Sequence, residues 1–108
     1  MFRYHPEMGY AQKLILHAPS WDSAALEEFV EACVRDKVVL VCVIGDDCER
    51  VEDVIDELVV RDGTDPQRFL NTTSHPNESL WEVRAFAEAW TVDVDPGACV
   101  QEVWLSAS

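Results

Sequence analysis

Seven consecutive residues, Val38-Val-Leu-Val-Cys-Val-Ile44, constrain this chain more than any other feature. The run is apolar throughout and mostly β-branched, and it is too short for a buried helix. A strand with one wet face alternates apolar and polar side chains, because successive residues point to opposite sides. An unbroken run predicts a strand covered on both faces, as in the interior of a mostly parallel sheet. Gly45 ends it, and Asp46-Asp47-Cys48 follows as a loop.

Three helical stripes are interleaved with strand-like segments. Leu26, Phe29, Val30, Cys33 and Val34 recur at helical spacing, with Glu27, Glu28 and Glu31 turned the other way. Pro19-Ser20-Trp21 precedes this helix, and Asp22 or Ser23 is placed to accept from its free N–H groups. Val51, Val54, Ile55, Leu58 and Val59 form a second stripe, closed by Arg61-Asp62-Gly63, with Gly63 suited to a left-handed cap. After the turn at Asp65-Pro66, the third stripe is Leu80, Val83, Phe86, Ala87 and Trp90, and Ser79-Leu-Trp-Glu82 before it fits a capping box. Shorter strands are expected over Lys13–Ala18, Arg68–Thr73 and Cys99–Leu105, the last at an edge because it contains Gln101 and Glu102. The order βαβαβαβ predicts an α/β fold with an open, mostly parallel four-stranded sheet flanked by three helices. The direction of the last strand is left open, antiparallel pairing included. At 108 residues the chain has room for one core, expected to be ordered over 12–105.

Charge narrows the partners. With 21 acidic and 8 basic residues, the net charge is −13. That field repels phosphate backbones and anionic headgroups, and the bases are scattered, so neither nucleic acid nor membrane is expected. An acidic surface keeps a protein soluble and attracts a basic protein partner. No apolar run approaches the ~20 residues of a bilayer span. The segment Met1–Tyr10 lacks the apolar core of a signal peptide, so a cytoplasmic location is expected. Cys33, Cys42, Cys48 and Cys99 show neither redox-pair nor zinc-knuckle spacing and read as reduced thiols, mostly core filler.

Chemistry in open α/β sheets collects outside the carboxyl ends of the strands. Three loops meet that condition. The first carries His17, Ser20 and Trp21, and the second Asp46, Asp47 and Cys48. The third carries Thr72, Thr73, Ser74, His75, Asn77 and Glu78. Parallel strands would gather them on one edge, where helix N-termini would favour an anion. His75, Cys48 and Asp46 are the catalytic candidates. Thr72, Thr73, His75, Glu78, Asp47 and His17 are the ligand-binding candidates. Each has a plainer use: His75 bonding local backbone, His17 ending a strand half buried, Asp46 and Asp47 capping a helix. Cys48 could be activated by a helix N-terminus, but Asp46, Asp47 and Glu49 oppose its thiolate. Asp46, Asp47 and His75, with His17, have donors suited to zinc or manganese but no diagnostic spacing, so no metal is expected. Trp21, Trp81, Trp90 and Trp104 read as core or half-core rather than as a stacking platform. No phosphate-cradling glycine loop or nucleophile elbow occurs, so no cofactor is expected.

The segment Arg68–Ala87 resembles the signature of an uncharacterised family of small bacterial α/β proteins, a domain of unknown function. Its pattern runs strand, Thr-Thr-x-His-x-x-Glu-x-Leu-x-Glu-Val-x-x-Phe-Ala. The matching positions are Thr72, Thr73, His75, Asn77, Glu78, Leu80, Glu82, Val83, Phe86 and Ala87. The Asp47-Cys48 pair is similar as well, whereas Ser74 stands where that family tends to carry a bulky aromatic. The resemblance implies the fold and draws attention to Thr73, His75 and Glu78, with no activity attached.

The leading functional expectation is a small non-enzymatic interaction module, monomer or homodimer, with an acidic surface. A small enzyme or ligand- or metal-binding domain at Asp46–Cys48 and Thr72–Glu78 is the alternative. An acidic immunity or antitoxin protein is a third reading, resting on charge alone.

Overall fold

The computed structural model describes residues 9–17, 23–61, 63–65 and 68–105. Ala18, named above as a strand end, and Pro19 to Asp22, Asp62 and Pro66, named in loops, caps and turns, lie outside them, as does the Ser23 side chain. The elements alternate as β1 (Lys13–His17), α1 (Ser23–Arg35), β2 (Leu40–Ile44), α2 (Cys48–Val60), β3 (Asn71–Ser74), α3 (Leu80–Ala89) and β4 (Val100–Trp104).

The sheet order is β3-β2-β1-β4 and every pairing is parallel. The edge position of β4 agrees with the sequence, and of the two directions left open the structure has the parallel one: Lys13 pairs with Val100 and His17 with Trp104. The handedness rule explains the layering. From β1 to β3 the chain advances in one direction across the sheet, and then it returns past β2 and β1 to β4. A right-handed crossover that reverses direction must pass over the opposite face. Accordingly α1 and α2 share one face and α3 has the other.

The pleat divides the core. Leu14, Leu16, Val41 and Val43 pack with Leu26, Phe29, Val30, Cys33, Val51, Ile55 and Val59 of α1 and α2. Their neighbours Ile15, Leu40 and Cys42 point the other way, onto Val83 and Ala87 of α3. This accounts for the unbroken apolar run, since β2 lies inside the sheet with a helical layer on each side. The two-helix layer is also clamped by charge. Arg68 donates to both carboxylate oxygens of Glu31 on α1, at 3.1 and 2.8 Å. It also donates to the Val59 and Leu58 carbonyls at the end of α2, at 2.8 and 2.9 Å. That role keeps Arg68 out of β3, which starts at Asn71 rather than at Arg68.

On the other face, Lys13 is buried and its ammonium donates to the Glu88 and Trp90 carbonyls at 3.3 and 3.1 Å. These groups at the end of α3 have no partner within the helix, so a strand lysine closes it. At its start, α3 has the expected capping box: the Ser79 hydroxyl accepts from the Glu82 N–H, and the Glu82 carboxylate accepts from the Ser79 N–H. The cap expected at Gly63 is corrected: α2 is closed by Arg61, at φ 52°, whose N–H donates to the Glu57 carbonyl, and Gly63, at φ 77°, lies beyond it. Two further expectations are corrected. Asp47 occupies the N-cap of α2 but its side chain makes no capping hydrogen bond. Trp81 and Trp104 are 78% and 63% exposed, so they are surface rather than core.

Candidate functional site

Because all four strands are parallel, the ends of β1, β2 and β3 do share one edge, joined by the end of β4. The candidate residues at that edge form three separate environments rather than one pocket.

At the end of β2, Asp46 and Asp47 are exposed while Cys48 is 1% exposed and belongs to the large apolar cluster. A thiol packed inside the core cannot reach a substrate, which removes Cys48 as a nucleophile. Of the four cysteines only Cys99 is exposed, and all are free thiols.

At the end of β3, the pleat separates the two threonines. Thr72 faces α2, where its hydroxyl donates to Asp56 and Glu52. Thr73 faces α3 and lies 2.8 Å from His75 Nε2, while His75 Nδ1 lies 3.1 Å from a Glu78 carboxylate oxygen. The carboxylate accepts, so Nδ1 carries the proton and Nε2 accepts from the Thr73 hydroxyl. Hydroxyl, imidazole and carboxylate thus stand in the order used for general-base activation of a nucleophile. The surroundings favour a different role. His75 is 6% exposed, its N–H donates to the Val43 carbonyl at 3.1 Å, and the Phe86 ring meets it edge-on at 5.0 Å. Asn77 takes the left-handed conformation, φ 64°, that asparagine tolerates better than most residues and that the reversal into α3 requires. The plainer reading of His75, a ring bonding local backbone, is corrected: the ring bonds the Thr73 and Glu78 side chains.

Both ring nitrogens of His75 are engaged within its own loop, so neither is left for Asp46 or for a metal. Among the described residues no three His, Cys, Asp or Glu side chains converge as metal binding requires. Asp46, Asp47, His75 and His17 do not form the centre their donor chemistry would have allowed. At the start of α3 the Glu82 carboxylate already accepts from the N-cap amide.

The third environment was not visible in the sequence. At the end of β1, His17 Nε2 lies 3.0 Å from one Glu102 carboxylate oxygen. The other oxygen accepts from Arg84 Nη1 of α3, also at 3.0 Å. The His17 ring stacks on Trp104 with centroids 4.4 Å apart and planes 8° from parallel. This cluster sits between β1 and β4, where the strand order reverses, the position at which open α/β sheets hold ligands. Only the parallel direction of β4 could have revealed it: antiparallel pairing would have put His17 at the Val100 end.

Residues 5–101 match a family described as Domain of unknown function (DUF7684). No curated protein matches. No solved structure matches.

Proposed function

The chain belongs to this domain family of unknown function, and from its own side chains we propose that it is a cytoplasmic, non-enzymatic interaction module that engages a basic protein partner. One observation carries this reading. Between positions 46 and 57 the sequence places seven acids and one base, and Asp46, Asp47, Glu49, Asp53, Asp56 and Glu57 are exposed. Such a surface raises the encounter rate with a positively charged protein and rejects acidic ones. The most reactive groups support the same reading, since Cys48 is packed in the core and His75 is held by Thr73 and Glu78. A basic toxic enzyme is one partner that an acidic neutralising protein would suit. The hydroxyl–imidazole–carboxylate chain favours a second reading, a small hydrolase using Thr73, which requires substrate to reach the Thr73 oxygen past Phe86.

Affinity capture with the tagged chain and a variant carrying Glu49→Gln, Asp53→Asn, Asp56→Asn and Glu57→Gln tests the proposal. The expected result is a basic protein that binds the native chain, binds the variant at least about tenfold more weakly, and is released by salt. Partners held equally by both chains at low and high salt would refute it. Hydrolysis of model esters that disappears in Thr73→Ala would favour the second reading.

A further inference from the structure

The reading above leaves open where such a partner is gripped, and the end of β4 supplies an answer that rests on that reading. Trp104 is 63% exposed although one face of its ring is covered by His17. The imidazole is itself held by Glu102, and Glu102 by Arg84, so the indole is held from one side while most of its surface stays exposed. A side chain of that size, immobilised and left in water, is what interface anchors look like before they are covered.

The chemistry of the occupant follows from charge. The same edge of the sheet carries Asp46, Asp47 and Glu49 at the end of β2, and Glu78 beyond β3. Arg84, which sits on the Glu102 carboxylate beside the indole, is also paired with Glu88. An anion or nucleotide would meet repulsion here, whereas a planar cation is drawn in by the field and then by the face of the indole. Guanidinium meets both demands better than ammonium, being flat and more weakly hydrated.

The backbone indicates how the cation is presented. The Leu105 N–H donates to the His17 carbonyl at 3.4 Å. The alternation of a parallel ladder then turns the peptide groups of Glu102 and Trp104 away from β1. β4 ends the sheet, and among the described residues no backbone group pairs with that outer edge. An extended segment laid along it gains main-chain hydrogen bonds, the mode by which peptides add to a sheet edge.

We infer that the carboxyl end of β4 is an arginine-docking site, at which an extended, arginine-bearing segment of a basic partner lies along β4 and stacks a guanidinium on Trp104. Blocked hexaarginine and hexalysine peptides, equal in charge, are titrated calorimetrically against the whole chain, its Trp104→Ala and Trp104→Phe variants, and the four-carboxylate variant above. The native chain should prefer hexaarginine to hexalysine by about threefold or more, the range expected of an exposed cation–π contact. Trp104→Ala should remove the preference, Trp104→Phe should keep part of it, and the carboxylate variant should weaken both peptides while preserving it. Equal binding of the two peptides, or a preference that survives Trp104→Ala, overturns the docking site and leaves the basic-partner reading standing. Failure of both peptides to bind the native chain at low salt overturns both.

Discussion

Two histidine–glutamate pairs stand at the carboxyl ends of strands in this sheet, and they differ in nearly everything else. His75 is sealed beneath Phe86, with Thr73 on one nitrogen and Glu78 on the other. His17 lies against an exposed indole, with its Glu102 partner shared with Arg84. The first pair has the more suggestive chemistry and the second the more suggestive placement. The burial around each decides between structure and recognition: a buried hydrogen-bonded ring fixes the turn from β3 into α3, while an open stacked pair presents a surface.

Replacing His75 should therefore do most damage to the fold. His75→Ala leaves a void under Phe86 and strips two polar groups of their partner. A loss of about 3 kcal/mol is expected in urea unfolding. If unfolding is unchanged, the ring is not a structural staple and the Thr73 chain regains a claim to catalysis.

A second prediction separates both pairs from the acid sensitivity of the protein. Arg68 and Arg61 donate to Glu31 and hold its carboxyl down to about 2, against an ordinary value of 4.5. A carboxyl with a lowered folded-state value adds stability that is complete above its ordinary value and is lost as pH falls from there toward the folded one. Stability should fall between about pH 5 and pH 2, and Glu31→Gln should flatten that limb in thermal melts taken across the range. The effect is modest because the carboxylate is partly exposed and screened. A limb unchanged in Glu31→Gln would move its origin to other carboxylates.

The smallest change should come from Trp104→Ala. A tryptophan this exposed contributes little to folding, so unfolding should shift by no more than about 0.5 kcal/mol. A shift several times larger would make the indole part of the core after all and would blur the contrast with His75.

The two pairs also show what was legible in the sequence. Thr73, His75 and Glu78 lie within six positions of one another, so their place after a strand end was legible in the sequence, although the bonds among them were not. The interior position of β2 was equally legible, since covering both faces requires apolar residues at every position. His17 and Glu102 are 85 residues apart, and their meeting depends on strand order and on the parallel direction of β4. Local patterning carries neither. Lys13 was hidden in the same way: nothing near it signals that its ammonium will close a helix that ends more than seventy residues later. Cys48 carries two sequence readings, core filler and catalytic candidate in the loop after β2; as the first residue of α2 it turns its side chain into the core, as a filler does.

The most direct test of the division between the two pairs is amide and indole chemical-shift mapping of the native chain during titration with hexaarginine. The account predicts perturbations centred on His17, Glu102 and Trp104, including the Trp104 indole N–H, with the signals of Thr73, His75 and Glu78 in place. Perturbations centred on the β3–α3 turn, with Trp104 unmoved, would contradict it.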